Sequence, residues 1–540
     1  METHFATLWE AVADANGDRD AVVCGDDRRS WSQYERRAAQ LAAALAAAGL
    51  QPDSKLGLYL YNGTEYLESQ FAAMKQRCVA VNINYRYLDD ELLYLLENSD
   101  SEVLIFHSSL GERVQRVMPR IPGVKLWVQV DDGGESVPGA VDYEELLAAH
   151  APAPRIKREE TDIYMLYTGG TTGMPKGVMY DIGGLLQGFI QMAFPLTGLG
   201  IPEVDEIPGL TAQLWERGDG LVSIPACPLM HGTGMWLGAM VPHCAGARVV
   251  TLTGRSFDAA ELWQSTERER ATQLVIVGDA FAKPMLNALE TARDSGTPYD
   301  LSSVKLMVSS GVMWTSEVKQ QLLDWHAFTL IDAMGSTEGG MGTQITMRGN
   351  VGETAKFAMN PTTKVFDAED REIEPGSGKA GMVAAGGSVP LGYFKDEAKS
   401  RATFRSIDGV RYSFPGDWAR VEADGTLTLL GRGSNCINTA GEKVYPEEVE
   451  EAVKQHPDVV DCLVVGVEDE KFGQRVTGVA SLRSGSAADG EALREFARTK
   501  LASFKAPKQL FIVETVQRAA NGKADYGWAR EAVEKRLETS

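Results

Sequence analysis

The most constraining feature of the sequence is an apolar run that leads directly into a loop rich in glycine and threonine. The run Ile163 to Tyr167 predicts a buried strand. The residues after it are Thr168, Gly169, Gly170, Thr171, Thr172, Gly173, Met174, Pro175, Lys176 and Gly177. Glycine tolerates positive φ and lets an anion approach the backbone. The free backbone amides, the threonine hydroxyls and the one lysine are groups that can bind phosphate oxygens. We therefore predict a loop that holds a polyphosphate.

The residues around the lysine exclude the standard phosphate loop of kinases and GTPases. That loop needs a glycine directly before its lysine and a serine or threonine directly after it. Here Pro175 precedes Lys176 and Gly177 follows it. The loop resembles instead the phosphate loop of adenylate-forming enzymes, the superfamily of acyl-CoA synthetases, luciferases and peptide-synthetase adenylation domains. In most members a serine stands at the position of Gly169.

Strand-like runs alternate with helical segments along much of the chain, which indicates an α/β fold. Examples are Lys55 to Leu60, Val103 to His107, Lys125 to Val130, Leu221 to Ile224, Arg248 to Leu252 and Leu274 to Val277. The resemblance implies a large N-terminal α/β domain of the adenylate-forming type over residues 1–432. A small mobile α+β domain would follow over residues 433–540, with the hinge near Ser434. In that domain we expect a helix opened by Pro446 and then a strand over Val459 to Val467.

Composition narrows the class of protein further. At 540 residues and 44% hydrophobic, the chain can bury large cores and hold more than one domain. A net charge of −22 argues against general nucleic-acid binding. The longest apolar segment, Leu41 to Leu50, is too short to span a bilayer, and the N-terminus shows no export signal. The six cysteines are scattered, which predicts free thiols and a cytoplasmic enzyme. From the short apolar segment we expect no membrane-spanning segment. Whether the chain forms a homodimer is left open.

The segment Met334, Gly335, Ser336, Thr337 and Glu338 extends the resemblance. In the family, the acidic residue helps to hold the magnesium ion of the nucleotide, and hard oxygen ligands suit that ion. At the position of Met334 most members have an aromatic residue, which stacks on the adenine ring. The thioether of a methionine can also pack against a purine. A second interpretation is a helix start capped by Ser336 or Thr337, with Glu338 in the first turn.

A third segment runs from Tyr412 to Arg432. By resemblance, the Asp417 carboxylate accepts hydrogen bonds from both ribose hydroxyls, and Arg432 reaches the ribose and phosphate region. A hairpin at Asp424 and Gly425 is expected between them. Taken alone, an aspartate after a glycine is an ordinary turn residue.

Asn521, Gly522 and Lys523 form the fourth segment. In the family, this lysine bridges the substrate carboxylate and the α-phosphate, where a cation stabilises the charge of the transition state. The hinge departs from the family pattern, because Ser434 and Asn438 stand where charged residues are usual. Gly441 matches the glycine that leaves a tunnel for pantetheine, although a glycine in a loop before a helix explains it equally well.

The acyl side of the site is less specified. His231 resembles the family histidine at the mouth of the acyl pocket, and could equally be a helix cap. Trp236 and Met240 would line a sizeable apolar pocket in which glycines leave room, although ordinary core packing explains both side chains. The pocket residues implied are His231, Trp236, Gly278, Gly339 and Gly340. Asp279 is predicted to cap the helix that starts at Ala280.

The resemblance thus implies catalytic roles for Lys523, Glu338 and Thr168. The nucleotide contacts it implies are Thr168, Gly169, Gly170, Thr171, Thr172, Gly173, Lys176, Ser310, Gly311, Met334, Gly335, Ser336, Thr337, Asp417 and Arg432. The implied reaction is ATP- and Mg²⁺-dependent activation of a fatty or bulky apolar acid as an acyl-adenylate, followed by transfer to coenzyme A. Two alternatives are an acyl-AMP ligase that serves a separate carrier protein and a catalytically silent nucleotide-binding relative. Retention of Lys523, Glu338 and Asp417 speaks against the silent relative.

Overall fold

The structure of the chain is a computed structural model that describes residues 1–168, 174–439, 442–469, 473–501, 503–519 and 522–538. By the density of its internal contacts the chain divides into two units. Unit 1 comprises Met1–Gly340, Ile345–Gly352 and Gly386–Ser413. Unit 2 comprises Met341–Gln344, Glu353–Ala385 and Phe414–Ser540. The predicted boundary between residues 432 and 433 is that of a mobile C-terminal domain. Internal contacts do not measure mobility, so this boundary stays a prediction.

The strands in the first part of the chain are β1 (Asp20–Cys24), β2 (Asp27–Ser30), β3 (Lys55–Tyr59), β4 (Val79–Asn82), β5 (Ser101–His107), β6 (Leu126–Val130), β7 (Val141–Asp142), β8 (Ile163–Thr168), β9 (Lys176–Asp181), β10 (Val222–Pro225), β11 (Arg248–Thr251), β12 (Gln273–Ile276), β13 (Leu306–Ser310) and β14 (Thr329–Ser336). Those that follow are β15 (Gly339–Thr346), β16 (Lys356–Met359), β17 (Thr363–Phe366), β18 (Ala380–Ala385), β19 (Gly392–Tyr393), β20 (Phe404–Ile407), β21 (Val410–Ser413), β22 (Asp417–Val421), β23 (Thr426–Arg432), β24 (Ile437–Thr439), β25 (Glu442–Val444), β26 (Val459–Asp469), β27 (Gly473–Leu482) and β28 (Gln509–Val513).

The α-helices are α1 (Phe5–Asn16), α2 (Trp31–Ala47), α3 (Thr64–Lys75), α4 (Asp89–Asn98), α5 (Gly111–Val117), α6 (Tyr143–Ala148), α7 (Ile182–Ala193), α8 (Ile207–Glu216), α9 (Val241–Cys244), α10 (Ala259–Glu269), α11 (Gly278–Asp294), α12 (Ser316–Trp325), α13 (Glu397–Thr403), α14 (Pro446–Lys454), α15 (Gly490–Arg498) and α16 (Tyr526–Glu538). A π-helix spans Thr233–Met240. No helix in the described part of the chain is long and apolar enough to cross a membrane.

Unit 1 is built on parallel sheets. The strand order β1-β11-β10-β12-β13-β14 is parallel throughout, and β2 closes one edge in an antiparallel pair. A second parallel sheet has the order β4-β3-β5-β6-β7. A small antiparallel sheet, β19-β9-β8, carries the start and end of the predicted phosphate loop. Strands β10 and β12 are buried at every residue, as expected for central strands of a parallel sheet with both faces covered.

The core of unit 1 encloses the buried side chain of His243 among three aromatic rings. Trp9, Trp31 and Tyr34 surround His243 with ring centroids 5.7, 5.1 and 5.6 Å from its own. The His243 side chain is 1% exposed, and its Nε2 lies 3.2 Å from the Ala21 carbonyl oxygen. This cluster joins α1, α2 and the end of α9 into one apolar core.

The strands of unit 2 form two groups, of which the first belongs to the same 15-stranded sheet as the parallel order β1-β11-β10-β12-β13-β14 and the second is a separate sheet. The antiparallel order β16-β23-β22-β18-β17 makes one, and the hairpin of β22 and β23 turns at Gly425, where φ is +81°. The other has the order β25-β24-β27-β26, with β28 parallel to β27. Helices α14, α15 and α16 cover this sheet and bury side chains such as Val449, Leu493 and Val533.

The sequence-based expectations for these elements are mostly confirmed. The strands at Ile163 and Val459, the helix opened by Pro446 and the six free thiols are all observed. The prediction that Asp279 caps its own helix is wrong. Helix α11 begins two residues before the predicted start, at Gly278, and the Asp279 carboxylate accepts hydrogen bonds from the Thr315 N–H at 2.9 Å and from the Thr315 hydroxyl. Asp279 therefore fixes the start of the next helix, α12.

Candidate active site

The carboxyl ends of adjacent parallel strands bring several predicted nucleotide residues together in unit 1. Ser310 ends β13 and pairs with Ala333 of β14, to whose carbonyl its hydroxyl donates at 2.8 Å. Gly311 follows with φ +91°, and Met334 lies in β14 with 6% exposure. Ligands of open α/β sheets bind at this edge. The predicted nucleotide-binding segments at Ser310 and Met334 are therefore neighbours at the edge of the sheet where a ligand is expected to bind.

The segment after Met334 forms a tight turn between two strands. Strand β14 ends at Ser336 and β15 begins at Gly339, so the interpretation as a capped helix start is wrong. The Ser336 hydroxyl accepts a hydrogen bond from the Glu338 N–H at 3.2 Å, which closes the turn locally. A Cβ on Gly335 would lie 3.3 Å from the Gly339 carbonyl oxygen, so a side chain there would crowd the turn.

The Glu338 carboxylate is held from both sides. The Tyr393 hydroxyl donates to Oε1 at 2.8 Å, and the Thr337 hydroxyl donates to Oε2 at 3.1 Å. The Tyr180 hydroxyl donates to the Thr337 carbonyl at 2.8 Å and fixes the same turn to β9. These bonds aim a partly exposed carboxylate, whose remaining lone pairs are hard oxygen donors of the kind that magnesium prefers.

Lys176 lies beside the same tyrosine. Its Nζ is 5.6 Å from the centroid of the Tyr393 ring and 3.2 Å from Asp396 Oδ2. The Lys399 N–H also bonds the Asp396 carboxylate, and with Lys176 it outweighs the effect of burial and lowers the pKa of Asp396. Tyr393 thus contacts both the predicted phosphate cation and the predicted metal ligand.

The two ends of the predicted phosphate loop lie opposite each other. Thr168, the last residue of β8, pairs with Lys176, the first residue of β9. The loop predictions at Gly169, Gly170, Thr171, Thr172 and Gly173 lie outside the described residues.

Asn82 anchors this end of β8. Its side chain exchanges hydrogen bonds with both the N–H and the carbonyl of Tyr167, at 2.7 and 2.8 Å, and donates to the Met230 carbonyl at 2.7 Å. The loop before His231 is therefore tied to the end of the phosphate-loop strand.

The predicted acyl residues lie around the π-helix. Its Trp236 donates from Nε1 to the Tyr164 hydroxyl at 2.8 Å and packs against Tyr180 and Phe189, with ring centroids 5.8 Å apart in each pair. A Cβ on Gly232, the residue after His231, would lie 3.6 Å from Thr337 Cγ2, which places this loop against the Glu338 turn. Met240 is 1% exposed and belongs to the core, in line with the alternative interpretation.

The backbone geometry explains why glycine stands at some of the predicted acyl-pocket positions. Gly278 has φ +52°, and a Cβ there would lie 2.3 Å from the Met313 carbonyl oxygen. Close backbone approach therefore accounts for this glycine without an acyl group. Gly339 has φ +151°, and Gly340 is exposed beside it. The roles of all three in an acyl pocket stay predictions.

In unit 2, the two predicted ribose residues face each other across a hairpin. Asp417 begins β22, Arg432 ends β23, and the two pair in register. Arg432 Nε lies 3.4 Å from Asp417 Oδ1. The Arg432 N–H also bonds Glu447 Oε1 at 3.5 Å, which links the hairpin to α14. Ser434 follows in a 3₁₀ turn over Gly433–Asn435, and Gly441 lies outside the described residues.

Lys523 lies in a short loop of unit 2 just before α16. Its carbonyl accepts a hydrogen bond from the Ala519 N–H at 2.9 Å, and Gly522 before it has φ +75°. Unit 1 thus gathers Thr168, Lys176, Ser310, Gly311, the Met334–Glu338 turn, His231, Trp236 and Gly278, while unit 2 holds Asp417, Arg432 and Lys523.

Sequence reasoning missed Tyr393, Asp396 and Asn82. Asn82 had a usable signal, because a polar residue at the end of a buried strand is a candidate for a site at a sheet edge. Tyr393 and Asp396 had none, since their partners lie 55 and 220 residues away in the chain.

Comparison with known proteins identifies the family of the chain. The family model "AMP-binding enzyme" matches residues 9–394, and the model of its C-terminal domain matches residues 448–523. A 3-oxocholest-4-en-26-oate–CoA ligase of Rhodococcus rhodochrous is 41% identical, over 98% of this chain and 96% of its own length. A medium/long-chain-fatty-acid–CoA/3-oxocholest-4-en-26-oate–CoA ligase of Mycolicibacterium smegmatis is 39% identical, over 99% and 97%.

The fold is likewise that of solved adenylate-forming enzymes. The crystal structure of the anthranilate CoA ligase AuaEII in complex with anthranoyl-AMP matches with a TM-score of 0.82 and 21% identity, over 99% of this chain and 98% of that one. The α/β fold with a large N-terminal and a small C-terminal domain is therefore confirmed, and this chain belongs to the AMP-binding enzyme family, in its adenylate-forming acyl-CoA ligase branch.

Proposed function

We propose that this AMP-forming acyl-CoA ligase acts on a large, mostly apolar carboxylic acid, either a medium- or long-chain fatty acid or an acid with a steroid ring system. The observation that carries the proposal is similarity over nearly the whole chain to ligases named for these acids, at 41% and 39% identity. Four aromatic side chains around the predicted acyl region, Tyr164, Tyr180, Phe189 and Trp236, suit such an acid. Its free thiols fit an enzyme of the cytoplasm.

The first half-reaction joins the acid to AMP. A carboxylate oxygen of the acid attacks the α-phosphorus of ATP, a new O–P bond forms, and the bond to the β-phosphate breaks to release pyrophosphate. In this proposal Thr168 and Lys176 hold the β- and γ-phosphates, Asp417 and Arg432 hold the ribose, and Lys523 stabilises charge at the reacting phosphate. Catalysis then consists of positioning and charge stabilisation.

Glu338 is the proposed residue for magnesium. Its carboxylate fits the ion, because two hydroxyl groups orient it and leave oxygen lone pairs available. A magnesium ion bound with the nucleotide would neutralise part of the phosphate charge. Tyr393 and Thr337 would keep the carboxylate correctly aimed.

The second half-reaction transfers the acyl group to coenzyme A. The thiol sulfur attacks the acyl carbon, the C–O bond to AMP breaks, and the thiol proton passes to solvent. We propose that rotation about Ser434 withdraws Lys523 and presents Gly441, whose missing side chain leaves space for pantetheine. Small uncharged residues such as Ser434 can absorb a backbone rotation.

A panel of acids tests the substrate class. The protein is mixed with ATP, Mg²⁺ and one acid at a time, and AMP release is followed with and without coenzyme A. We expect coenzyme A-dependent AMP release with decanoate, palmitate and 3-oxocholest-4-en-26-oate, and about 10²-fold lower kcat/KM with acetate or malonate. A preference for the small acids would overturn the proposed substrate class. AMP release that does not depend on coenzyme A, with a lasting acyl-adenylate, would indicate an acyl-AMP ligase.

The role of Lys523 has its own test. Lys523→Ala is expected to slow adenylate formation roughly 10²-fold or more, because a contact to transition-state charge is lost. Thioester formation from a pre-made acyl-adenylate should change little, because Lys523 is withdrawn in that step. Equal damage to both half-reactions would overturn the two-conformation scheme.

A further inference from the structure

We propose that Asp461 and Arg518 are positioning residues that hold the backbone carrying Lys523. The inference rests on the proposed role of Lys523 and names the pair through which unit 2 supports that lysine. Lys523 directly precedes Ala524, which forms a β-bridge with Arg518, and α16 begins at Tyr526. The Gly522 N–H donates to the Ala519 carbonyl at 2.8 Å, which ties the residue before Lys523 to Ala519.

The ion pair is bidentate and joins this turn to the sheet. Arg518 donates from Nε to Asp461 Oδ2 at 2.6 Å and from Nη2 to Oδ1 at 2.7 Å. Asp461 lies in β26, near the start of the longest strand pair of unit 2. Parallel hydrogen bonds of this kind fix the plane of the guanidinium as well as its distance. Arg518 is thereby held in one orientation.

The same guanidinium also contacts the turn itself. Its remaining nitrogen, Nη1, donates to the Gly522 carbonyl at 3.3 Å, and that carbonyl belongs to the peptide that joins Gly522 to Lys523. Arg518 therefore bridges a carboxylate on β26 and the peptide directly before the lysine. An arginine serves here because lysine lacks the planar fork that reaches both partners at once.

The backbone after Lys523 is fixed independently. The Asp525 side chain accepts a hydrogen bond from the Trp528 N–H at 2.9 Å and so caps the first turn of α16. Lys523 is then held on its N-terminal side by Arg518 and on its C-terminal side by a helix cap. A long, flexible side chain reaches a reacting phosphate more often when its backbone does not move.

Charge at the pair is consistent with this role. Burial opposes ionisation of Asp461, but the hydrogen bonds and charge of Arg518 outweigh burial and lower the pKa of its carboxyl group. Both side chains are 20% exposed. The pair is thus partly shielded from solvent. In such a place, removal of one partner leaves the charge of the other poorly compensated.

Asp461→Asn tests the proposal, with Glu448→Gln as a matched control. Glu448 forms an equally short pair with Lys505 in unit 2, at 2.5 and 2.7 Å, with 24% and 12% exposure. We expect Asp461→Asn to slow adenylate formation about tenfold or more while thioester formation from a pre-made acyl-adenylate stays within about twofold. Glu448→Gln should leave both half-reactions near wild type. Melting temperatures are measured for each variant, and Arg518→Lys replaces Asp461→Asn should the latter not fold.

A double-mutant cycle separates positioning from general stability. Since Asp461 acts through Lys523, Asp461→Asn should have no further effect on adenylate formation in a Lys523→Ala background. Independent effects of the two changes, or equal losses in both half-reactions, would overturn the positioning role. If Lys523→Ala alone leaves adenylate formation unchanged, the proposed role of Lys523 fails. A slow Lys523→Ala with a normal Asp461→Asn overturns only the positioning role.

Discussion

The Tyr393 hydroxyl donates a 2.8 Å hydrogen bond to the Glu338 carboxylate, and the ring of the same tyrosine faces the Lys176 ammonium. Tyr393 stands in β19, which pairs with β9 just after Lys176, while Glu338 follows β14. One side chain therefore sets the distance between a sheet edge that carries the predicted metal ligand and a hairpin that carries the predicted phosphate cation.

Tyr393→Phe should weaken the use of magnesium with little loss of stability. The ring would still pack against Phe404 and Lys176, whereas the hydroxyl bond to Glu338 would be lost. Loss of a partner that orients a metal ligand typically costs 10–100-fold, so we expect the Mg²⁺ concentration for half-maximal AMP formation to rise about tenfold or more. A titration of the rate with Mg²⁺ at saturating ATP measures this.

Tyr143→Phe is the matched control for that change. Its hydroxyl donates to Glu68 Oε2 at 2.9 Å, within unit 1 but at a different carboxylate. The control should leave the Mg²⁺ dependence as in the wild type. Identical Mg²⁺ curves for Tyr393→Phe and the wild type would show that the tyrosine does not orient a metal ligand.

Asp396→Asn should tighten the binding of ATP. Asparagine can still accept the bond from the Lys399 N–H that caps α13, but it no longer pairs with Lys176 by charge. An exposed ion pair contributes about 0.2–1 kcal/mol, and freeing Lys176 of that contact favours its bond to phosphate by the same amount. We expect the KM for ATP to fall up to about fivefold.

Asp396→Ala provides the comparison for this prediction, because it removes both the charge and the cap of α13. The alanine variant should lose stability, whereas the asparagine variant should melt near the wild type. A higher KM for ATP in Asp396→Asn would mean that Asp396 orients Lys176 for the nucleotide and does not compete with it.

Asn82→Ala should lower both stability and adenylation. Three hydrogen bonds at the end of β8 would be lost in a buried site, and unsatisfied backbone groups cost about 1–3 kcal/mol each. Asn16→Ala is the control, because Asn16 is also buried and bonded but lies in α1. At a temperature where both variants are folded, only Asn82→Ala should reduce kcat/KM for ATP. Equal kcat/KM in the two variants would assign Asn82 to stability alone.

Sequence patterns predicted the parts of this protein that depend on local order. The strand at Ile163, the hairpin between Asp417 and Arg432, and the helix at Pro446 each combine a periodic apolar run with a turn or cap residue. The resemblance to the family then suggested roles for the site residues, because the family motifs are short contiguous segments that can be matched residue by residue. Errors arose where two local interpretations shared the same residues, as at Ser336, whose hydroxyl closes a turn between strands in place of a helix start.

Contacts across long stretches of chain could not be predicted. Asp279 reads as a cap of its own helix, yet its carboxylate bonds Thr315 because the parallel order of β12 and β13 brings the start of α12 next to it. Asp461 and Arg518 are separated by 57 residues and meet only because β26 and the turn before α16 are packed on one sheet. Pairing of this kind depends on sheet order, which single-residue patterns do not encode.

His243 should make the stability of the protein depend on pH in the acidic range. Burial lowers the pKa of His243 to about 4, from 6.5 in the unfolded chain, and the Ala21 carbonyl offsets this only in part. Between those values the unfolded chain binds the proton and the folded chain does not, so stability falls as pH decreases from 6.5 to 4. The contribution of this one group has a slope of up to about 1.4 kcal/mol per pH unit.

His243→Gln removes this contribution while an amide can still bond the Ala21 carbonyl. The variant is expected to be less stable than the wild type at pH 7, since the amide packs less well among Trp9, Trp31 and Tyr34, but to lose less stability on acidification. Urea unfolding at intervals from pH 7 to pH 4 gives both curves. If the curve of His243→Gln instead runs parallel to that of the wild type, the buried ring is not the proton acceptor that destabilises the fold in acid, and His107, whose pKa burial also lowers to about 4, becomes the next candidate.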